Sequence, residues 1–242
     1  MKKIKKRYEM HASYFVCAAL LILFMIPLVS EEQAHSMTKR KHVVLLGASV
    51  GEGWKIESLP ERINQGDYAR YRFEYAGDYQ FDKTQTLRKI LQRKQDKPDA
   101  IILKECAAYF PGDFERYQAL MKSWIKECRD AGVIPVPTTV IPVAKATSLR
   151  AITKDLVRPL LGKATSSVRL KALLHYNDWI KSYAKQEKLT VLDLESPLRI
   201  SAEDWSLRAD LHSGDGLHLN AQAYSLLDRI VIPVIDQAFR TK

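Results

Sequence analysis

Short apolar runs alternate with longer amphipathic stretches along most of the chain. Five runs rich in β-branched and other apolar residues predict strands: HVVLLG (42–47), RYRFEYAG (70–77), DAIILKE (99–105), VIPVPTTVI (133–141) and LTVLDLE (189–195). Apolar residues recur at helical spacing in TQTLRKILQRKQ (84–95), DFERYQALMKSWIKECRDAG (113–132) and SVRLKALLHYNDWIKSYAKQEK (167–188), and a last helix follows Asn220. Strands that alternate with helices favour a parallel sheet covered on both faces. We therefore predict an α/β domain, a three-layer α/β/α sandwich with a mainly parallel five-stranded sheet.

The segment TTVIPVAKATSLRAITKDLVRPLLGKATSS (138–167) fits this alternation least well. Loops at the carboxyl end of parallel strands commonly carry binding and catalytic residues. We therefore expect a long insertion near the functional site.

An apolar helix is predicted before the domain. The basic stretch MKKIKKRYEM precedes SYFVCAALLILFMIPLV (13–29), and no charged residue occurs between Glu9 and Glu31. This length suits either a signal peptide or an uncleaved signal anchor, and the basic flank predicts a domain outside the cytoplasm. We expect residues 1–30 to be the signal peptide or anchor, 31–41 a polar tether and 42–242 one domain. The protein would lie in the cell envelope, bound to the membrane through this helix if it is uncleaved, or be secreted or periplasmic.

The formal net charge of +10 does not indicate nucleic-acid binding. Residues 1–42 hold eight Lys or Arg and three Glu, which is +5, and the other 200 residues supply the remaining +5. That remainder is spread thinly, without a block of basic residues interleaved with aromatic ones. We therefore expect no nucleic-acid partner.

A glycine-rich turn, GASVGEG (47–53), follows the first predicted strand. In an open parallel sheet this position borders the crevice where ligands bind. The turn lacks the spacing of phosphate-binding loops, so Ser49 is either a nucleophile or a cap of the following helix.

The segment HSGDGLHLNAQAY (212–224) carries a second candidate group, because Asp215 precedes His218 by three residues. A carboxylate that accepts one imidazole N–H leaves the other nitrogen free to take a proton from a serine. The alternatives are an ordinary packed histidine and a metal site. Asp215, His218 and His212 make a thin ligand set with no obvious fourth group, so we expect neither a metal nor a cofactor.

These residues resemble the SGNH/GDSL hydrolase superfamily. The resemblance rests on Ser49 in LLGASVGEGW, on DGLHLN followed by AQAY, and on the order of elements from about residue 42 to 240. It implies a flavodoxin-like sheet, a catalytic triad of Ser49, His218 and Asp215, and hydrolysis of an ester through an acyl-enzyme.

The sequence departs from the family pattern in two places. Ala48 replaces the Asp of Gly-Asp-Ser, and in LKECAAYF Cys106 occupies the position of the Asn that helps to hold the oxyanion. A thiol is a weak donor, so the resemblance leaves the backbone N–H groups of Ser49 and Gly77 as oxyanion donors. Lys104 and Glu105 are expected to face the crevice or, alternatively, the surface.

The expected substrate is an ester, such as an O-acetyl or other short acyl group on an envelope carbohydrate or small molecule. Two alternatives stay open, namely acyl transfer to a sugar hydroxyl and a non-catalytic envelope assembly or binding module. Trp54 and Tyr109 are candidates to line a substrate pocket, whereas Trp124 and Trp179 fit the core faces of amphipathic helices. The oligomeric state does not follow from the sequence.

Overall fold

Four parallel strands form the central sheet. A computed structural model describes residues 40–63, 70–147 and 149–241. The strands are β1 (Lys41–Gly47), β2 (Tyr71–Gly77), β3 (Ala100–Leu103) and β4 (Ile134–Pro137), in the order β2-β1-β3-β4. Every neighbouring pair is parallel. This confirms the predicted α/β class with a parallel sheet.

The strand β1 lies in the interior of the sheet and explains the first apolar run. Its residues Val43, Val44, Leu45 and Leu46 are all fully buried. A strand that is covered on both faces needs a continuous apolar run rather than an alternating one, and HVVLLG supplies it. The register places Gly47 beside Gly77 at the carboxyl ends of β1 and β2.

Helices separate the strands, and the three longest begin at residues with capping side chains. The helices are α1 (Ser49–Trp54), α2 (Leu59–Arg62), α3 (Thr84–Leu91), α4 (Phe114–Asp130), α5 (Leu149–Val157), α6 (Ser166–Gln186) and α7 (Ala221–Arg240). Asp113 accepts a hydrogen bond from the Arg116 N–H before α4, and Asn220 accepts one from the Ala223 N–H before α7. These bonds satisfy backbone donors that the first turn leaves unpaired, which fixes where each helix starts.

The prediction of a fifth strand at residues 189–195 is wrong. It contributes one parallel bridge, between Thr138 and Leu192. Just beyond, the Asn177 amide takes the place of a neighbouring strand: Oδ1 accepts from the Val140 N–H at 2.7 Å, and Nδ2 donates to the Val140 carbonyl at 2.9 Å. Because the neighbouring Thr139 N–H is the one that bonds to Leu192, these groups of Val140 face away from residues 189–195, on the side of β3. Residues 189–195 add no ladder beyond their single bridge, so the sheet in the described part has four strands.

The irregular segment 138–167 forms α5 and a 3-10 turn, Arg158–Leu161. No described side chain of α5 is buried, and Leu149, Ile152 and Leu156 are exposed. Helix α5 therefore lies outside the core, whereas the start of the segment belongs to it, since Val140, Ile141 and Val143 are buried.

Residues 1–39 lie outside the described part, so the signal peptide or anchor and most of the tether stay predictions. Within the described part, no helix combines the length and apolar character needed to span a membrane.

The amide of Asn177 gives a test of how the sheet ends. Asn177→Ala leaves the Val140 N–H and carbonyl buried without partners, at a cost of about 1–3 kcal/mol for each group. We expect the free energy of unfolding, measured by urea denaturation, to fall by about 2–4 kcal/mol. The control is Asp178→Ala, at an exposed position of the same helix, which should change it by less than about 0.5 kcal/mol. Equal effects of the two variants would contradict this account.

Candidate active site

Ser49 is the first residue of α1 and lies directly beyond the carboxyl end of β1. The helix is capped by extended backbone at Ala48, without a capping side chain, and the Ala48 carbonyl accepts from the Gly51 and Glu52 N–H groups. The interpretation of Ser49 as a helix cap is therefore wrong. Its hydroxyl is instead free to point at another part of the chain.

Two side chains press against the glycine-rich turn and explain its glycines. The Tyr75 hydroxyl lies 3.1 Å from each of the Gly47 and Ala48 carbonyl oxygens, to which it donates. A Cβ on Gly51 would lie 2.9 Å from the Tyr75 ring, and one on Gly47 would lie 3.2 Å from Lys104 Cβ. The glycines thus allow close approach, and Tyr75 fixes the turn that presents Ser49. No pattern in the sequence indicates this role of Tyr75.

The loop before α7 brings His218 and Asp215 to Ser49. His218 Nε2 lies 3.1 Å from Ser49 Oγ, and His218 Nδ1 lies 2.5 Å from Asp215 Oδ2. Asp215 Oδ1 also accepts from the N–H groups of Leu217 and His218, each at 2.8 Å. Gly214 has φ 109°, a conformation that side chains rarely adopt, so the loop needs a glycine there. The structure therefore brings together Ser49, His218 and Asp215, the three residues that the resemblance implies as a triad.

The charge of Asp215 determines which ring nitrogen of His218 carries the hydrogen. Burial opposes ionisation, but hydrogen bonds from the His218 ring and from the backbone N–H groups of His218 and Leu217 lower the pKa of Asp215 to about 2. An ionised Asp215 accepts a hydrogen bond from the N–H at His218 Nδ1, which leaves Nε2 as the acceptor facing the Ser49 hydroxyl.

Helices α1 and α7 are joined by polar contacts beneath this site. Asp228 of α7 accepts from Trp54 Nε1 at 2.7 Å and from two nitrogens of Arg62 at 2.8 Å. The Tyr224 hydroxyl donates to the Val50 carbonyl. Trp54 is 1% exposed, so the prediction that it lines a substrate pocket is wrong; it holds the two helices together instead.

The other oxyanion candidates follow the strands on either side of Ser49. Gly77 ends β2, and the next N–H, that of Asp78, donates to the Gly47 carbonyl. Because hydrogen bonds alternate along a parallel strand, the Gly77 N–H points away from β1. Cys106 follows β3 and is 7% exposed. The candidates thus occupy the carboxyl ends of three adjacent strands.

Solved structures of known proteins share this architecture. No family model and no curated protein sequence matches the chain. In structure it is similar to a GDSL-like lipase from Bacteroides thetaiotaomicron, with a TM-score of 0.58 and 18% identity, covering 87% of this chain and 96% of that one. The chain has the fold of the SGNH/GDSL hydrolases. The resemblance noted in the sequence is confirmed at the level of the fold.

Two esterases share this SGNH fold. One is the psychrotrophic esterase EstA from Pseudoalteromonas sp., with a TM-score of 0.54, 13% identity and coverage of 83% of this chain and 99% of the other. The second is Axe2, an acetylxylan esterase from Geobacillus stearothermophilus, with a TM-score of 0.52, 11% identity and coverage of 82% and 96%. The likeness thus extends over nearly the whole length of each neighbour.

In place of the Gly-x-Asn pattern, this SGNH fold buries charged residues. Lys104 and Glu105 are each 2% exposed, so the expectation that they face the crevice or the surface is wrong. Lys83, which is 1% exposed, donates to Glu105 Oε2 at 3.0 Å. Lys104 Nζ donates to the Glu105 carbonyl at 3.1 Å. Burial raises the pKa of Glu105 and lowers the pKa of Lys104 to about 8.

Tyr109 is half-buried at the rim of this loop and donates to the Gln80 carbonyl at 3.1 Å. The only set of side chains in the described part with metal-ligand spacing is His42, Glu74 and Asp96. These residues belong to the opposite, amino end of the sheet, and Glu74 is already paired with Arg93 at 2.7 Å. The set does not include the histidine or carboxylate next to Ser49.

The buried Lys104 predicts a pH-dependent stability. Its pKa is about 8 in the folded chain against 10.5 ordinarily, so between these values the unfolded chain binds more protons. Its buried charge therefore costs stability below pH 8, and this cost disappears as the pH rises towards 10.5. Lys104→Met should raise the free energy of unfolding at pH 7 by about 2–3 kcal/mol.

The measurement is urea denaturation of both proteins from pH 7 to 10. We expect the gap between Lys104→Met and the original chain to shrink over that range. The control is Lys89→Met at an exposed position of α3, which should show no such gap. A gap that stays constant with pH would rule out titration of Lys104 as its cause.

Proposed function

We propose that the protein is a serine esterase that hydrolyses an ester through an acyl-enzyme. The observation that carries this proposal is the continuous line of contacts from Ser49 Oγ to His218 Nε2 at 3.1 Å and from His218 Nδ1 to Asp215 at 2.5 Å. A hydroxyl, an imidazole and an ionised carboxylate in this order form the arrangement that activates a serine nucleophile. The likeness to esterases and a lipase of the SGNH fold supports it.

In the first half of the reaction, Ser49 Oγ attacks the ester carbonyl carbon while His218 Nε2 takes the hydroxyl proton. Asp215 stabilises the resulting imidazolium. The tetrahedral intermediate then collapses, the bond to the leaving alcohol breaks, and His218 returns the proton to that alcohol oxygen. In the second half, His218 takes a proton from water, which attacks the acyl-serine, and the carboxylic acid leaves as Ser49 regains its proton.

The proposed oxyanion donor is a backbone group. The Ser49 N–H lies in the first turn of α1, where N–H groups have no partner within the helix. Gly77, the other backbone candidate, has its N–H directed away from β1, so the Ser49 N–H is the one backbone donor proposed. Cys106 stands where an amide is usual, and loss of one oxyanion donor typically costs about 10²–10³ in kcat. We therefore expect slower turnover than an enzyme with three donors would reach.

A non-catalytic SGNH-like module is the competing function, and Cys106 is the observation that favours it. The close approach of Ser49, His218 and Asp215 counts against it, because a binding module has no need of this alignment. The expected substrate of the esterase is a short acyl ester, such as an O-acetyl group on an envelope carbohydrate. This expectation depends on the predicted leader, and it is in keeping with the structural likeness to Axe2, an acetylxylan esterase.

The nucleophile can be tested by covalent labelling. A fluorophosphonate probe should modify Ser49, and Ser49→Ala should lose both the label and at least about 10³-fold of kcat/KM on p-nitrophenyl acetate. The matched control is Ser123→Ala, an exposed serine on α4, which should keep both. Mass spectrometry locates the label. An unlabelled folded protein without ester hydrolysis would favour the non-catalytic module.

The carboxylate gives a separate test. Asp215→Asn removes the acceptor that orients His218, so kcat should fall by about 10³–10⁴ with little change in KM. Because the pKa of Asp215 is about 2, it stays ionised at mildly acidic pH and should not cause any loss of activity between pH 4 and 7. Asp210→Asn, an exposed residue of the preceding turn, should change kcat less than about twofold. Steady-state kinetics from pH 4 to 9 would measure both effects, and equal losses in the two variants would refute the role of Asp215.

A further inference from the structure

A cavity of about 180 Å³ adjoins the loop that carries Asp215 and His218. One wall is that loop, through Asp215, Gly216 and Leu217, and the Gly216 carbonyl accepts from the Ala144 N–H on the next wall. The insertion supplies the rest, through residues of α5, the 3-10 turn and the start of α6. Asp215 lines the cavity and contacts the His218 ring, so a group bound there lies beside this carboxylate, although neither His218 nor Ser49 lines the cavity.

Basic side chains outnumber acidic ones in this cavity. It is lined by four cations, Lys145, Lys154, Arg158 and Arg169, and by two carboxylates, Asp155 and Asp215. Both carboxylates are already used by the protein. Asp155 accepts from the Ser166 N–H at 2.8 Å and from the Ser166 hydroxyl at 2.9 Å, and Asp215 holds the His218 ring.

Arg169 is the half-buried cation of this cavity that has no carboxylate within ion-pair distance in the described ranges. Lys154 is exposed, Lys145 is paired with Asp204 at 2.8 Å and Arg158 with Asp155 at 3.2 Å. The Arg169 Nε donates to the Phe110 carbonyl at 3.1 Å, which orients the guanidinium and leaves its terminal nitrogens for another acceptor. Burial and the neighbouring Arg158 both lower the pKa of Arg169. An anion in a cavity lined by both arginines would stabilise their charges.

We propose that this cavity binds the carboxylate or phosphate of an anionic ester, with Arg169 as the principal contact and Arg158 as the second. The inference rests on the proposed esterase function, since it concerns the substrate of that site. Guanidinium groups bind both anions through paired N–H donors, so both belong to the class. The ester carbonyl would lie at Ser49 while the charged part of the same molecule occupies the cavity.

Kinetics on matched substrates test the inference. The acetate ester 4-acetoxyphenylacetate and its neutral primary amide, 4-acetoxyphenylacetamide, have nearly the same shape and differ in a remote negative charge, and 4-acetoxybenzyl phosphate supplies the phosphate arm. The original enzyme should have a higher kcat/KM for a charged ester than for the neutral one. Arg169→Gln should remove about tenfold or more of kcat/KM for the charged ester, mainly through KM, and leave the neutral ester within about twofold.

The control variant is Arg88→Gln, which removes a surface arginine paired with Glu127 outside the cavity and should keep the charge preference. Arg169→Lys retains the charge and should restore part of the preference, which loss of folding would not allow. If the original enzyme shows no preference for either charged ester, or keeps its preference in the Arg158→Gln/Arg169→Gln double variant, the inference is overturned.

A binding measurement keeps the inference separate from catalysis. In Ser49→Ala, titration calorimetry with 4-hydroxyphenylacetate and with 4-hydroxybenzyl phosphate should detect binding that Arg169→Gln weakens about tenfold or more. Such binding without any turnover by the original enzyme would refute the esterase proposal and support the anion site. Absence of binding for both anions would overturn the anion site, whatever the activity on neutral esters.

Discussion

The site depends on the docking of the last helix against the first. Ser49 and His218 are 169 positions apart, and no local interaction brings them to 3.1 Å. That distance is set by Asp228, which ties α7 to Trp54 and Arg62, and by Tyr224, which reaches the backbone of α1. Asp228 is 5% exposed and receives three charged or polar donors, so this contact has little freedom. Since serine catalysis is sensitive to misplacement of about 1 Å, a contact outside the reacting groups controls their alignment.

Parts of the fold that follow from local chemistry could be predicted from the sequence. The continuous apolar run of β1 and the helical spacing over 113–132 and after Asn220 each act over a few positions, and the structure has a strand and two helices there as predicted. The fifth run, 189–195, has the apolar pattern of a strand but makes a single bridge at Leu192, and beyond it the Glu195 N–H donates to the Thr139 hydroxyl instead of a backbone carbonyl. A pattern of apolar residues carries no information about which distant side chain reaches a strand end.

The same limit applies within the site. Ser49, Asp215 and His218 stand in short glycine-rich motifs, so their chemistry could be inferred before their proximity was known. Lys104 was misjudged because its burial requires the contacts made by Glu105 and Lys83, and Lys83 lies 21 positions before it. Tyr75 was missed because its hydroxyl acts on backbone carbonyls, which leave no trace in the residue types of the turn. The proposed function rests on side-chain geometry, since fold likeness at 11–18% identity shows the scaffold alone.

The unusual residue Cys106 and the basic cavity have a common energetic consequence. A site with one backbone donor and a thiol in the amide position gains less stabilisation at the carbonyl oxygen than a site with three good donors. Binding energy from a distant part of the substrate can compensate when it holds the ester carbonyl in the reactive position. A fixed guanidinium such as Arg169, beside the loop of His218, provides an anchor of this kind. A negative charge on the substrate would therefore compensate for the missing amide, and esters without the anion should show the full loss of rate that Cys106 causes.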